Sequence, residues 1–337
     1  MKHLSPIIPL AFENPMINRR NFSLAAGAAA LGLPAFAQSD VMRLVVGFPA
    51  GGIVDVIARE LGEALKPHLG GRNVIIDNKP GAGSRIAVSA VKSAPPDGNT
   101  LLLTPASIMT LGPAVFRKLP YDSVKDFAPV STVCMSTNAL AVGNHVPART
   151  LGEFITWCKA NPKEATYASP GAGSGPHFLG AQIAQAAGIE MLHVPYKGAP
   201  DIMNDLYGGR VASFVTALSN AVQPHKDGRM RVLVTTGEKR SAQLPDVQTV
   251  REAGFPQLTL LEWFGLLAPA RTPADKVIAL HAAVQKAIGS ASVQKSFATL
   301  VMEPQAMAPA EFAARIQADI ARWAQTAKSL NYQAIDG

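Results

Sequence analysis

Short apolar runs and segments of helical period alternate along the chain from residue 41 onwards. Val41–Val46 and Thr100–Thr104 are typical of strands, and the second run is apolar between its threonines, as expected for a buried central strand. Leu151–Ala160 and Ala199–Tyr207 carry apolar residues at the spacing of helices. This alternation predicts an α/β fold with mainly parallel sheets flanked by helices.

Two long extended runs interrupt the alternation, at Asp126–Val142 and Trp263–Ala268. In a two-lobed protein such runs can pass from one lobe to the other. They predict two crossing segments that join lobe 1, at residues 38–141 and 265–337, to lobe 2, at residues 142–264.

Strand, glycine-rich loop and helix follow one another within Val45–Glu60. The loop contains Gly47, Gly51 and Gly52, and a helical pattern follows it. Backbone N–H groups at a helix start lack intrahelical partners, and glycines let a ligand approach them closely. Such a turn can hold an anion. The alternative, a turn that closes a core unit and binds nothing, stays open for this stretch alone.

The same arrangement recurs at Ala165–Leu179. A short strand pattern runs into Ser169, Gly171, Gly173 and Ser174, and a helical pattern follows. Neither loop contains Lys or Arg. Backbone amides, hydroxyls and a helix terminus, which contributes about 0.3–1 kcal/mol when exposed and about 2 kcal/mol when partly buried, suit a small carboxylate held reversibly. Two such helix starts predict two lobes that face one cleft.

The first 37 residues are typical of a secretory signal peptide. Paired arginines, Arg19 and Arg20, precede the apolar run Leu24–Leu33, and residues 35–37 read Ala-Phe-Ala, a cleavage site. The apolar run is too short to span a bilayer, and no later apolar segment is long enough. We expect a start at Met16, export to the periplasm by the Sec or the Tat route, and a mature protein that is a monomer.

The charges of the mature chain are scattered. Cleavage would lower the formal net charge from +7 to +5, because three basic residues leave with one acidic residue. The basic residues form no block and are not interleaved with aromatics, so nucleic-acid binding is not expected. The histidines lack the spacing of metal ligands and there is no C-x-x-C motif. We expect no metal and no cofactor.

The chain has only two cysteines, Cys134 in a strand-like run and Cys158 on a predicted helix. A periplasmic protein can form disulfides. The spacing leaves both a disulfide and two buried thiols open.

Motifs for nucleotide binding and hydrolysis fail at specific positions. Pro176 stands where G-x-G-x-x-G needs its third glycine, and the spacing around Ser174 is not that of a G-x-S-x-G elbow. Ser174 and His177 lie one helical turn apart, where a serine that caps the helix or contacts a ligand is expected rather than a nucleophile with its base. Asp55 is expected to cap its helix, with contact to a ligand amine or ordered water as the alternative. No residue is assigned a catalytic role.

A series of motifs in order makes the chain similar to the extracytoplasmic solute receptors of tripartite tricarboxylate transporters, the Bug family, over essentially the whole mature length. The motifs are Phe48–Gly52 with Asp55, Asn78–Gly83, Pro96–Leu102, Asp126–Val130, Tyr167–Ser174 with His177, His193–Gly198, Arg240 with Leu244–Val247 and Glu252–Gly254, and Trp263–Gly265.

This resemblance implies a type II periplasmic-binding-protein fold, in which two α/β lobes close over a small organic carboxylate. It also implies delivery of the ligand to membrane permease subunits, with no chemistry on the ligand. The residues that it places around the ligand are Phe48, Ala50, Gly51, Gly52, Asp55, Ala106, Ser107, Ser169, Gly171, Gly173, Ser174 and Tyr196.

The chain departs from the family pattern in two loops. Family loops usually continue Gly-Gly-Gly-Thr-Asp, whereas this chain has Gly52-Ile53-Val54-Asp55, and Ser84 stands where the family usually has glycine. A hydroxyl donor is lost. We expect Ile53 and Val54 to line the site and make it more apolar, so that the ligand is less polar than a simple dicarboxylate, such as an aromatic or branched monocarboxylate.

The sequence therefore predicts a periplasmic solute-binding receptor for a carboxylate. Two alternatives stay open. The liganded protein could dock on a sensor kinase instead of a permease, or the chain could be an exported enzyme on a similar two-lobed fold.

Overall fold

The structure, a computed structural model, describes residues 41–196 and 198–336. The predicted signal peptide, residues 1–37, and the expected start at Met16 lie outside the described residues. Within the described ranges, no helix combines the length and the hydropathy needed to cross a bilayer.

Strands and helices alternate through the described part of the chain. The strands are β1 (Val41–Val46), β2 (Asn73–Asn78), β3 (Thr100–Pro105), β4 (Phe127–Gly143), β5 (Thr166–Ser169), β6 (Leu192–Pro195), β7 (Ser213–Ala217), β8 (Met230–Thr235), β9 (Leu261–Pro269) and β10 (Glu303–Pro304). The helices are α1 (Ile53–Leu65), α2 (Arg85–Lys92), α3 (Ala106–Thr110), α4 (Gly112–Val115), α5 (Leu151–Ala160), α6 (Gly175–Ala187), α7 (Ala199–Tyr207), α8 (Val222–Lys226), α9 (Ala274–Ile288), α10 (Ala291–Thr299) and α11 (Pro309–Ser329).

Lobe 1 is built on β2, β1, β3, β9 and the first part of β4, in that order. β2, β1 and β3 are parallel, β9 runs antiparallel to β3 and β4, and β10 extends the far edge of β4. Every residue of β3 after Thr100 is buried, which confirms the predicted central strand.

Lobe 2 continues the sheet through β4, β7, β5 and β6, with β8 also paired to β4. β7, β5 and β6 are parallel, and β4 is antiparallel to β7 and β8. Each lobe thus has a mainly parallel sheet with one long antiparallel strand, and the predicted two-lobed α/β fold class is confirmed.

β4 belongs to the ladders of both lobes. Its residues 127–137 pair with β9, and residues 138–143 pair with β7 and β8. The extended run predicted at Asp126–Val142 is therefore a crossing segment. β9 pairs only within lobe 1, from Leu261 opposite Thr137 onwards. Because the chain is back in lobe 1 at Leu261, the second crossing is the segment 236–260 and not Trp263–Ala268. The exact lobe bounds given above stay a prediction.

The two lobes have separate apolar cores, and a smaller cluster joins them. Phe178 of α6 contacts Trp323 of α11 and Tyr332, with ring centroids 6.0 Å and 4.9 Å apart. Gln182 of α6 also donates a 3.2 Å hydrogen bond to Thr326 of α11. Because α11 packs on β4 as well, it ties the start of α6 to lobe 1.

Cys134 lies in the core of lobe 1 and Cys158 in the core of lobe 2. Both are buried free thiols. Of the two alternatives left by the sequence, the structure therefore has two buried thiols.

Candidate functional site

The carboxylate of Asp55 holds the loop between β1 and α1. Its Oδ2 accepts hydrogen bonds from the Gly51 backbone N–H at 2.9 Å and from Arg59 Nε at 2.8 Å. Its Oδ1 accepts from Arg59 Nη2 at 3.0 Å and Asn78 Nδ2 at 2.9 Å. The hydrogen bond from Arg59 is the main cause that lowers the pKa of Asp55 to about 2, against the opposing effect of burial. Asp55 is 1% exposed and accepts four hydrogen bonds, so it fixes the conformation of the loop from its buried side.

The two residues that depart from the family pattern in this loop point in different directions. Ile53 is 37% exposed at the start of α1. Val54 is 3% exposed and packs in the core of lobe 1 with Ile57 and Ala58. The expectation that the Val54 side chain lines the site is therefore wrong, because the helical period turns it towards the sheet. Ile53 alone adds apolar surface.

The second departure is accommodated by a hydrogen bond. Ser84 has a φ of 71°, in the left-handed region that favours glycine. Its hydroxyl donates to the carbonyl of Gly47 at 3.0 Å. A Cβ at Gly47 would lie 2.0 Å from that hydroxyl oxygen, so Gly47 must remain glycine for the two loops to meet.

The loop between β5 and α6 is built on its own side chains. Ser174 caps α6 by accepting from the His177 N–H at 3.3 Å, and donates to the Gly171 carbonyl at 2.7 Å. This confirms the capping role predicted for Ser174. Ser169 is fully buried and donates to the same carbonyl at 3.0 Å.

The two loops share one hydrogen-bonding arrangement. Gly51 has a φ of 82° and Gly173 a φ of 75°. Gly51 donates its N–H to Asp55, and Gly173 donates its N–H to Nδ1 of His177 at 3.0 Å. In each lobe a left-handed glycine is thus bound by the side chain four residues later, in the first turn of the helix.

Two stacked histidines support the second loop. The rings of His177 and His193 lie 3.8 Å apart with planes 9° from parallel. His193 Nε2 lies 2.8 Å from Ser169 Oγ, and since that hydroxyl already donates to Gly171, it accepts from His193. Burial, and then charge repulsion from His177, lowers the pKa of His193 to about 4, and burial lowers the pKa of His177.

Tyr196 lies beside the second loop, because its N–H donates to the Ser169 carbonyl at 3.0 Å. Its hydroxyl donates to Asp205 of α7 at 2.7 Å. Burial, together with Asp205, raises the pKa of Tyr196 to about 12. The hydroxyl and the backbone N–H of Tyr196 both donate within lobe 2, which leaves the ring to contact a ligand.

Two predicted residues of lobe 1, Ala106 and Ser107, meet lobe 2 at a small cavity of about 10 Å³. The residue of lobe 2 at this cavity is Gly175, which follows Ser174 and was not itself predicted. Glu262, at the start of β9, forms part of the same wall. Glu262 is not among the residues predicted from the sequence, where its signal is an acid next to the long apolar run at residues 263–268.

Of the other predicted residues in the first loop, Phe48 packs partly against the core of lobe 1 and its carbonyl accepts from Asn78 at 3.1 Å. Ala50 and Gly52 are exposed.

A larger cavity of about 710 Å³ lies elsewhere, between segment 235–243 and segment 298–305. None of the predicted ligand residues lines it. We therefore place the candidate site at the two loops and not at this larger groove.

The profile of a family described as the tripartite tricarboxylate transporter family receptor matches residues 57–332. A protein of Cupriavidus necator, described as a UPF0065 protein in the gbd 5' region, is 36% identical over 310 residues, which cover 88% of this chain and 93% of that protein. BugT of Bordetella pertussis is 31% identical over 284 residues, which cover 84% of this chain and 87% of BugT.

Two solved structures are similar in sequence and in fold. Rpa4515 of R. palustris with adipate is 31% identical with a TM-score of 0.78, over 87% of this chain and 98% of the other. MatC (Rpa3494) from Rhodopseudomonas palustris with bound malate is 28% identical with a TM-score of 0.72, over 85% of this chain and 98% of MatC. The chain therefore belongs to the receptor family of tripartite tricarboxylate transporters.

Proposed function

We propose that this receptor captures a small organic carboxylate between its lobes and delivers it to the membrane subunits of a tripartite tricarboxylate-type transporter. The observation that carries the proposal is the shared construction of the two loops, each with a left-handed glycine at the start of a helix. Adipate in Rpa4515 and malate in MatC are carboxylates bound by two similar proteins.

The first turn of α1 suits an anion. The N–H groups of residues 53–55 lack intrahelical partners, and the loop before them is exposed. A carboxylate accepts hydrogen bonds only, and the positive end of the helix dipole favours it. Because neither loop holds Lys or Arg, the ligand is held by hydrogen bonds and partial charges, which permits release.

Ile53 favours a ligand with an apolar part. It is the one substituted loop residue with an exposed side chain, since Val54 belongs to the core. We propose a monocarboxylate in preference to a simple dicarboxylate.

We propose binding without turnover. The hydroxyl of Ser174 donates to Gly171, and Nδ1 of His177 accepts from Gly173. Both groups therefore form hydrogen bonds within the loop and not with each other. We further propose that residues 1–37 direct export to the periplasm through Sec or Tat, and that the mature receptor is a monomer.

The test uses the chain from Gln38, unfolded and refolded to remove bound ligand. Its melting temperature is measured with mono-, di- and tricarboxylates and with aromatic acids. A ligand at about a hundred times its Kd should add about 2.7 kcal/mol to the free energy of unfolding. A shift with one class of acid, which chromatography then recovers unchanged, supports a receptor. Conversion of the acid would favour the enzyme alternative, and no shift with any acid would overturn the proposal.

A further inference from the structure

Glu262 places an acid where residues of the two lobes meet. It lines the cavity of about 10 Å³ with Ser107 of lobe 1 and Gly175 of lobe 2. A cavity of this size holds about one water-sized group. One hydroxyl or one ammonium group on a ligand would therefore fill it.

Ser107 donates hydrogen bonds to Glu262. Burial, with a further contribution from the charge of Asp319, raises the pKa of Glu262 above its ordinary value, against the opposing effect of hydrogen bonds from the hydroxyl and the backbone N–H of Ser107 and from the amide of Asn138. Ser107 is the residue that the family resemblance assigns to the ligand. Its donors are directed at a carboxyl group of the chain itself, so this corner of the cleft offers a hydrogen-bond acceptor.

Glu262 has no ion-pair partner in the part of the chain that the structure describes. Among residues 41–196 and 198–336, no Lys or Arg forms an ion pair with it. The neighbouring acid, Asp319, has Arg315 at 2.9 Å and the Trp263 indole N–H at 2.9 Å. A partly buried carboxylate without a counter-ion is unfavourable unless a ligand or a proton meets it.

From this geometry we infer that Glu262 is a specificity-determining residue, which favours carboxylic acids with a hydroxyl or amino substituent and disfavours dicarboxylates. The carboxylate of the ligand meets the loop amides, and its substituent donates to Glu262. A second carboxylate at this point would be repelled by ionised Glu262. This inference rests on the proposed function.

The experiment compares the wild type with Glu262→Gln and with Glu238→Gln, an exposed control in the larger groove away from the candidate site. Calorimetry measures the Kd of each stripped protein for butanoate, for its hydroxy and amino derivatives substituted at C2, C3 and C4, and for succinate. At least one substituted acid should bind the wild type about tenfold more tightly than butanoate. Glu262→Gln should lose the preference for the amino acids and bind succinate more tightly, while Glu238→Gln should behave as the wild type.

The outcomes separate this inference from the proposed function. If carboxylates bind and Glu262→Gln leaves their ranking unchanged, Glu262 does not determine specificity and the cavity holds only a structural water. If no carboxylate binds any of the three proteins, the proposed function fails and the inference fails with it. Succinate as the tightest ligand of the wild type at neutral pH would also overturn the inference.

Discussion

The backbone N–H of Gly173 donates to Nδ1 of His177 at 3.0 Å, so the second loop depends on an imidazole that is unprotonated at this nitrogen. The equivalent loop in lobe 1 depends on Asp55, whose pKa of about 2 keeps it ionised far below neutral pH. The two lobes therefore use the same hydrogen bond from a glycine N–H, but the acceptor side chains differ in their sensitivity to acid.

Stability should fall as the pH drops from about 6.5 to about 4. The pKa of His193 is lowered to about 4, and that of His177 is also lowered, so the unfolded chain binds more protons in this window. Their contribution is complete above the unfolded pKa of about 6.5 and is lost as the pH falls through the folded values. Urea unfolding from about pH 7.5 to about pH 4.5 measures it.

Two variants test whether His193 causes this dependence of stability on pH. His193→Gln should reduce the loss by about 1–2 kcal/mol across the window, whereas His68→Gln, at an exposed position, should leave it unchanged. Equal slopes in His193→Gln and the wild type would contradict the assignment. Asp55 does not contribute, because its stabilisation is present above about pH 4 and is lost only as the pH falls towards about 2.

Asp55→Ala should destabilise the protein by about 2 kcal/mol, because it leaves the Gly51 N–H and one of the two N–H groups of the Asn78 amide without an acceptor. Arg59 is 53% exposed, so water replaces much of its ion pair. The loop should also lose its shape and bind carboxylates more weakly. Urea unfolding and calorimetry measure the two effects.

The matched control for Asp55 is Glu63→Ala on the same helix. Its ion pair with Lys66 is exposed, so the free energy of unfolding should change by less than about 0.5 kcal/mol. Similar destabilisation by the two variants would show that Asp55 has no special role in the loop.

Gly173→Ala should destabilise the second loop by about 1–3 kcal/mol. Gly173 has a φ of 75°, and an added Cβ would lie 2.8 Å from Cγ1 of Val115. Gly171→Ala in the same loop meets no atom within 4 Å and should be tolerated. The midpoints of urea unfolding compare the two, and a tolerated Gly173→Ala would mean that the loop relaxes away from α4.

Neither cysteine should react with a thiol reagent in the folded protein. Burial raises the pKa of Cys158 to about 11 and raises the pKa of Cys134 as well, which suppresses the reactive thiolate. Reaction with Ellman's reagent should show no thiols in the native protein and two in denaturant. No thiols in denaturant without reductant would instead reveal a disulfide.

Local pattern was sufficient for most of the architecture. β1, α5 and α7 have the bounds that the hydrophobic period predicted. α3, α4, α8 and β10 were not predicted, because segments of two to five residues show no period. The return crossing was misplaced because an apolar run at a strand does not reveal which sheet it pairs with.

The glycine-rich loops, the helix starts and the capping role of Ser174 follow from residues close in sequence, so local sequence was enough to predict them. The acceptor side chains at Asp55 and His177, four residues after their glycines, are equally local. The burial of Val54 with Ile57 and Ala58 also follows from the helical period. Tertiary structure alone decided that His193 stacks on His177. It also brought Glu262 beside Ser107 and Gly175. These contacts join residues far apart in the chain, and only the packing of the two lobes sets which of them meet.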